Sequence, residues 1–348
     1  MELSHYEKLK DQGLVDAAAR VFEARVPPGL SPVDCVSHSA LFDRIYRETW
    51  EPATHGRDEG ENIASRNTIL QVLRTYYEGE NIYYIHPDLA DELLVTSVAD
   101  VPTEFVELPY EGIHIQVPAG VPLRAHNIRS GEHQVTGMYV QIADGQLLVL
   151  VIGAPNGKDL NQDALFTFAL GLEKPTVAAC VDSETSWQVE RLQAHYPDHP
   201  IFVMQAAHAI REYVTFTVNV LLYLNSLHPD IIEQYPEQWR ALRKKILAAK
   251  SAGKRKELER RAGRVRKMPV HMVGSQFNVV RLETKERSVA EPREPPGRKL
   301  NKRFMVEAHW RNQPCGPGRK QRKLILIPRH VKGPDMAEFV RHKYEVRK

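Results

Sequence analysis

The 348-residue sequence predicts an α+β protein: a mixed α/β body with a central hairpin-containing sheet and buried helices, then a basic helix and a small β-rich C-terminal module. Three observations predict this. Apolar residues recur at helical spacing through Tyr77, apolar and polar residues alternate before an Asp-Gly pair at 144–145, and the charge changes sign near residue 242. We therefore divide the chain into a body, residues 1–242, and a C-terminal part, residues 243–348.

Helices are expected first, over residues 1–50 and again from Ile63, with a polar loop at 51–62 between them. Ser31 is expected to cap a helix, because proline follows it and Asp34 falls in the first turn. The faces expected to be buried are Leu41, Ile45 and Trp50, and then Ile69, Leu70, Leu73 and Tyr77.

Strands are expected over residues 81–152, interrupted by a short helix at Pro87–Leu94. Leu108-Pro109 is expected to turn into a strand at Ile113–Ile115. The clearest element is a hairpin, in which alternating residues from Met138 reach Asp144-Gly145 and an apolar strand returns over Leu147–Ile152. Pro155-Asn156-Gly157 lacks the glycine spacing of a phosphate-binding loop and is interpreted as a turn.

Two buried helices are expected next, at residues 161–173 and about 203–227. The second is apolar nearly all round, which places it at the centre of the fold. A strand at Val177–Val181 is expected between them, so that Asp182 and Glu184 would begin a helix and act as capping carboxylates. His86-Pro87-Asp88 and His228-Pro229-Asp230 are both interpreted as helix starts.

The C-terminal part begins with a basic helix over Lys244–Lys267, continuing an apolar stripe of Trp239, Leu242 and Ile246. That helix is either simply solvated or follows a phosphate backbone, and the two readings are compatible. A strand is expected at residues 269–282, and then a proline-rich linker at 284–301. The last module has strands at Phe304–Trp310 and Leu324–Ile327.

The charge distribution indicates the class of partner. Residues 1–242 contain 16 basic and 34 acidic residues, a net charge of −18, whereas residues 243–348 contain 31 and 10, a net charge of +21. Such asymmetry predicts that the C-terminal part meets a polyanion, a nucleic acid or the ribosome. The alternative is that the two portions neutralise each other within one molecule.

Motifs of metal-, nucleotide- and triad-dependent enzymes are absent from the sequence, and its histidines are too scattered for a metal site. We expect no cofactor and no metal, and a binding protein rather than an enzyme. Three distant cysteines fit a reducing, cytoplasmic setting. No apolar run approaches the roughly 18 residues of a membrane helix.

One segment, Val306 to Lys323, concentrates groups that can recognise nucleic acid. The candidate residues are His309, Trp310, Arg311, Gln313, Gly316, Gly318, Arg319, Lys320, Arg322 and Lys323. The guanidinium and ammonium groups can hold phosphate, the glycines allow close approach, and an indole can stack on a base. Strand alternation places His309 and Arg311 on one face and Trp310 on the other.

Three interpretations of this segment stay open. It is a structural Gly/Pro hairpin with Trp310 in the core and Arg311 bonded to backbone carbonyls, or a binding surface, or the site of a metal-independent ribonuclease. In the last case His309 would be the acid/base and Arg311 the phosphate clamp.

The same segment resembles the type V-A anti-CRISPR family that lowers synthesis of the type V-A effector nuclease. The resemblance rests on Arg303, His309-Trp310, Gly316-Pro317-Gly318, the cations Arg319 to Lys323 and the strand Leu324 to Ile327 before Pro328. Upstream, only Leu108-Pro109 and the apolar helix ending in Leu227-His228-Pro229-Asp230 fall in comparable order. Two departures are Ala308, where glycine is usual, and the absence of tryptophan from the final strand.

The resemblance implies a phage or plasmid protein that recognises the nascent N-terminal peptide of a type V-A CRISPR effector and causes loss of its mRNA. The acidic body would then hold the peptide, on a surface that the sequence does not identify, with the C-terminal part near RNA or the ribosome. A ribonuclease centred on His309 and Arg311 is one alternative, and a DNA-binding mobile-element accessory protein is another.

Overall fold

The chain is built around one mixed β-sheet in the computed structural model. The structure describes residues 3–51, 59–127, 131–153, 164–235, 237–249, 251–262, 269–277 and 304–332. The sheet strands in this part are β1 (Ile82–Ile85), β2 (Gly112–Gln116), β3 (Arg124–Asn127), β4 (Gly131–Ala143), β5 (Gln146–Gly153), β6 (Ala164–Gly171), β7 (Ile231–Gln234) and β8 (Val270–Val273). Their order is β6-β5-β4-β2-β1-β8-β7, with β3 paired to β4.

Helices surround this sheet. They are α1 (His5–Asp11), α2 (Leu14–Glu23), α3 (Pro32–Ser37), α4 (Ser39–Thr49), α5 (Glu59–Tyr77), α6 (Pro87–Val95), α7 (Val177–His195), α8 (Pro200–Leu224), α9 (Glu237–Leu247) and α10 (Ala252–Ala262). The mixed α+β class predicted from the sequence is confirmed. Within the described residues, no helix is both long and apolar enough to cross a bilayer.

The N-terminal helices form where their signals predict them. The Ser31 hydroxyl accepts from the Asp34 backbone N–H while the Asp34 carboxylate accepts from the Ser31 backbone N–H, a capping box that starts α3. The predicted buried face of α5 packs with α4 around Phe42. However, α5 begins at Glu59 rather than Ile63, so residues 59–62 of the predicted loop are helical, and residues 52–58 lie outside the described part of the chain.

The predicted hairpin is confirmed. β4 and β5 pair from Ala143↔Gln146 outwards, and Asp144 and Gly145 both have positive φ, 51° and 72°, as a two-residue hairpin turn requires. β5 lies between β4 and β6 and is almost wholly buried, which explains its continuous apolar run.

Two assignments beside this hairpin were wrong. Residues 164–171, expected inside a buried helix, form strand β6 against β5, with Phe168 and Leu170 buried. Residues Val177–Val181, expected to be a strand, begin helix α7, whose cap is Thr176. A short apolar run does not distinguish a buried strand from a buried helix. Residues 164–171 form a strand because they pair with the edge of β5. Asp182 and Glu184 therefore lie inside α7 rather than at its start.

Helix α8 confirms the predicted central helix, with Val214, Phe216 and Leu221 fully buried. His86-Pro87-Asp88 starts α6 as expected, but His228-Pro229-Asp230 leads into strand β7 instead of a helix. The Asp230 carbonyl and carboxylate accept the N–H groups of Gly274 and Gln276, which fixes this turn beside β8.

The basic helix expected over Lys244–Lys267 is divided, since α9 ends at Leu247 and Ser251 caps α10 through its side-chain contact with the Lys254 N–H. The expected strand 269–282 is described only as Val270–Val273. The expected turn at Pro155-Asn156-Gly157 and the linker at 284–301 lie outside the described residues.

The C-terminal module contains β9 (Phe304–Val306), β10 (His309–Cys315), β11 (Gln321–Ile327) and β12 (His330–Lys332). The single strand expected over Phe304–Trp310 is two strands, because β9 pairs with β12 whereas β10 pairs with β11. The chain crosses between them at Glu307 and the buried Ala308.

The two oppositely charged portions share the central sheet. β8, from residues 243–348, lies between β1 and β7, both from residues 1–242. The boundary at residue 242 falls inside α9. The body and the C-terminal part are therefore joined by strand pairing as well as by the chain.

Candidate nucleic-acid interface

The candidate residues lie on one antiparallel hairpin, β10–β11. Its register runs from His309↔Ile327 to Cys315↔Gln321 and pairs Gln313 with Lys323. Because strand side chains alternate, Trp310 shares a face with Leu324 and Leu326, while His309 and Arg311 share the other face. The alternation expected from the sequence is present.

The tip of the hairpin depends on backbone geometry that favours glycine. Gly316 has φ 73° and ψ −178°, and Gly318 has φ 64° and ψ 15°. The first combination is essentially restricted to glycine, because a Cβ would clash with the backbone. Arg319 also has a positive φ, 56°, and its N–H donates to the Gly316 carbonyl. The tip is therefore a constrained turn carrying cations.

The outward face presents polar groups that are held by their neighbours. Nδ1 of His309 donates to the Glu307 carbonyl oxygen at 2.9 Å, so that Nε2 is the acceptor in the neutral ring. Nε of Arg311 donates to the Gln313 side-chain oxygen at 3.0 Å, and not to the backbone carbonyls that the structural interpretation expected. His309 and Arg311 are both exposed, on an open strand face.

The remaining cations surround the tip rather than forming one edge. Arg322 lies on the Trp310 face and Lys323 on the Arg311 face, because they are consecutive strand residues. Arg319, Lys320, Arg322 and Lys323 are all exposed, and none is ion-paired with a carboxylate in the described part of the chain. These four charges are therefore available to a partner.

The inner face of the hairpin is anchored on the body through Trp310. Its Nε1–H donates to Oδ1 of Asn219 at 2.7 Å. Asn219, fully buried in α8, donates in turn to the carbonyls of Leu93 and Thr96 at 2.7 and 2.8 Å. The indole packs against the main core. This placement matches the structural interpretation of Trp310, whose base-stacking role stays a prediction.

A second anchor lies just after the hairpin. The Glu92 carboxylate in α6 has no exposed surface, and it accepts the Arg329 backbone N–H at 2.6 Å and Nε at 2.7 Å. Leu324 is buried in the main core, and its carbonyl accepts the Leu227 N–H. Side-chain and backbone bonds together fix the hairpin to α6 and α8.

The sequence reasoning did not identify these anchors. Asn219 stands between Val218 and Val220 in the mostly apolar second half of α8, and Glu92 falls on the buried face of α6 with Leu89. A polar residue on a buried face needs a hydrogen-bond partner, so the sequence alone could have indicated that Asn219 and Glu92 each have one. The identity of the partner was not, because Arg329 is 237 positions away from Glu92.

The described residues contain no group of three or more His, Cys, Asp or Glu side chains that could hold a metal ion. Cys35 and Cys180 are buried and Cys315 half-buried, and all three are free thiols.

A model of the AcrVA2-like family, described as the anti-CRISPR type V subtype A2 family, matches residues 83–329. Among solved structures, the crystal structure of AcrVA2 is 10% identical with a TM-score of 0.48, over 94% of this chain and 99% of that chain. No curated protein matches.

Proposed function

Because the chain belongs to the AcrVA2-like anti-CRISPR family, whose model covers residues 83–329, we propose that it recognises the nascent N-terminal peptide of a type V-A CRISPR effector and promotes loss of the effector's mRNA. In this proposal the protein acts in the cytoplasm on translating ribosomes. Residues 1–242 hold the peptide, and residues 243–348 lie against RNA.

The observation that supports a polyanionic partner is the state of the hairpin cations. Arg319, Lys320, Arg322 and Lys323 are exposed and without ion pairs in the described residues, although the body carries a large excess of carboxylates. If the two portions neutralised each other, these charges would be expected to lie against acidic side chains. Arg329 does pair across the boundary, with the fully buried Glu92 carboxylate, and its own side chain is 35% exposed. This pair anchors the hairpin and involves none of the four hairpin cations.

Firm docking of the hairpin is consistent with a shared task for the two portions. Trp310 and Arg329 each bond to a fully buried side chain of the body. A peptide held by the body would therefore stay at a fixed distance from RNA held by the hairpin. That arrangement suits an activity that must connect a peptide with the message that encodes it.

The proposal is tested by co-expressing the protein with a type V-A effector and measuring the effector mRNA. Two recoded effector genes separate the possible signals. Changing the N-terminal amino-acid sequence is expected to abolish message loss, whereas synonymous codon changes over the same segment are expected to leave it intact. The opposite pattern would show that the RNA sequence, not the peptide, is recognised.

A second test separates the roles of the two portions. Replacing Arg319, Lys320, Arg322 and Lys323 together by Ser is expected to abolish message loss and to leave peptide affinity within about twofold. The matched control replaces four exposed arginines of the N-terminal helical region by Ser, namely Arg20, Arg25, Arg44 and Arg47. An equal fall in peptide affinity in the hairpin variant would refute the proposed division.

The ribonuclease alternative is favoured by one observation, that His309 and Arg311 share an exposed face with Nε2 of the neutral imidazole as an acceptor. If the purified protein cuts RNA without added factors, and His309→Ala abolishes the cut, this alternative replaces the binding proposal. Salt-sensitive duplex DNA binding without any effect on effector expression would instead indicate the DNA-binding alternative.

A further inference from the structure

The helices α9 and α10 form an insertion at the edge of the sheet, here called the arm (residues 237–262). The strands on either side of it, β7 and β8, are antiparallel neighbours, and Gln234 pairs directly with Val270. The chain therefore leaves the edge strand, forms two helices of 11 residues each, and returns to the adjacent strand. The arm could be removed without breaking the order of the sheet.

The arm is the most cationic helical segment among the residues that the structure describes. Residues 237–262 contain ten basic and three acidic residues, a net charge of +7. Both acidic residues of α10 are already paired, Glu257 with Lys254 at 2.9 Å and Glu259 with Arg255 at 3.4 Å. The cations left without an ion pair in the described residues are Arg240, Arg243, Lys244, Lys245, Lys256, Arg260 and Arg261.

The packing of α10 leaves a cationic side outwards. Leu258 and Ala262 are 4% and 3% exposed and define its buried side. At 100° per residue, Lys256 and Arg260 lie on the opposite side of the helix, one turn apart. In the described chain α10 exposes no large apolar side chain, and α9 exposes only Leu247.

This composition fits a phosphate backbone better than a protein partner. The centre of a protein–protein interface is depleted in charged residues, especially lysine, and enriched in aromatic residues. Binding to nucleic acid instead depends on Lys and Arg contacts to phosphate. An 11-residue helix is about 16 Å long, and a nucleic-acid duplex carries a negative charge about every 1.7 Å, so each helix can meet several phosphates.

We propose that the arm is a binding site for the phosphate backbone of double-helical RNA, separate from the hairpin tip. The charge and packing of the arm support a nucleic acid as its partner. The choice of RNA over DNA rests on the proposed function, in which the protein works beside the translating ribosome. Contacts are made through phosphates, so binding does not depend on base sequence.

The test uses the full-length protein and a 20-base-pair RNA duplex, with a DNA duplex of the same sequence as the comparison. One variant replaces Lys244, Lys245, Lys256 and Arg260 by Gln. A second variant replaces residues 235–269 by Asn-Gly, the two-residue turn that closes β7 onto β8. The matched control replaces Arg20, Arg25, Arg44 and Arg47 by Gln.

Binding is measured by fluorescence anisotropy between 50 and 300 mM KCl. The Gln variant is expected to bind the RNA duplex at least tenfold more weakly at 0.1 M salt, and the slope of log K against log [salt] is expected to fall by about 2 to 4. Arm removal is expected to reduce binding at least as much, and the control is expected to bind like the wild type.

Three results would overturn the proposal. They are an unchanged salt slope in the Gln variant, a loss of less than tenfold in RNA affinity on arm removal, and DNA bound as tightly as RNA. If circular dichroism shows that the Gln variant does not fold, the variant that lacks the arm tests the proposal instead. Failure of the proposed function is distinguishable, because it would appear as message loss that ignores recoding of the effector's N-terminal peptide, whatever the salt slope.

Discussion

Replacing Arg329 by Met should loosen the C-terminal hairpin and destabilise the whole fold. The Glu92 carboxylate has no exposed surface, and Arg329 supplies two of its hydrogen bonds, one from Nε and one from the backbone N–H. Removing one partner of a buried ion pair costs about 3–5 kcal/mol, because the other charge stays buried. Since the backbone N–H still donates, we expect a cost of about 3 kcal/mol.

A second substitution, at Glu92, tests whether the cost of Arg329→Met comes from the unpaired carboxylate. In the double variant Glu92→Leu/Arg329→Met both charges are gone, and an apolar pair of similar volume is often neutral or stabilising in place of a buried ion pair. The remaining cost is the Arg329 backbone N–H, which loses its acceptor, at about 1 kcal/mol. The double variant should therefore be more stable than Arg329→Met alone, and a cycle that includes the single variant Glu92→Leu should give a coupling of about 2 kcal/mol between the two sites. The assay is urea unfolding followed by circular dichroism, with midpoints compared at unchanged m-values.

Hydrogen exchange of the β10–β11 amides shows whether the hairpin opens by itself. In Arg329→Met these amides should lose protection before those of β4 and β5 do. Two results would show that this pair does not hold the hairpin on the body. One is a cost of less than about 0.5 kcal/mol for Arg329→Met. The other is a double variant that is less stable than both the wild type and Arg329→Met.

Three further predictions concern stability. Asn219→Ala should cost about 3 kcal/mol in urea unfolding, because it leaves the Trp310 N–H and two buried carbonyls without their partner, whereas Trp310→Phe should cost less. Gly316→Ala should cost about 1–3 kcal/mol, seen as lost exchange protection of the hairpin, because its φ of 73° with ψ −178° is essentially restricted to glycine. Burial, and then the nearby His114, lower the pKa of His5 to about 3, so only the unfolded chain takes up this proton below pH 6.5. The stability that the neutral His5 contributes is therefore present above pH 6.5 and is lost as the pH falls. At pH 5 the free energy of unfolding of the wild type should have fallen by about 2 kcal/mol more than that of His5→Gln. Equal pH profiles of the two proteins would contradict this.

Local signals predicted those elements whose geometry depends on adjacent residues. The Ser31 capping box and the Asp144-Gly145 turn were both identified, because a cap or a two-residue turn is fixed by side chains a few positions apart. Helix α8 was identified because its stretch Val214–Leu224 is apolar nearly all round, as expected of a helix at the centre of a fold.

Assignments failed where a distant neighbour decides the structure. Residues 164–171 form a strand because the edge of β5 offers backbone groups to pair with, and a short apolar run is equally compatible with a helix. His228-Pro229-Asp230 resembles a helix start, but the Asp230 side chain is used by the Gln276 N–H beyond β8. Neither partner is close in sequence.

In the candidate site, too, the features set by adjacent residues were predicted and those set by distant residues were not. The outward face of His309 and Arg311 followed from strand alternation alone. The anchoring of Trp310 by Asn219 did not, because 91 residues separate the two side chains. The free state of the hairpin cations is likewise a tertiary property, since it depends on which carboxylates the fold brings near them.

By itself, the sequence determined the mixed class of the fold, the unequal distribution of charge between its two portions, and the resemblance of its C-terminal segment to an anti-CRISPR family. All three depend on composition or on neighbouring residues. Only the tertiary structure decided that β8 enters the body's sheet, that Glu92 and Asn219 hold the hairpin, and that the arm stands between β7 and β8. These features require pairing between residues far apart in the chain, and such contacts exist only after the backbone has been brought together.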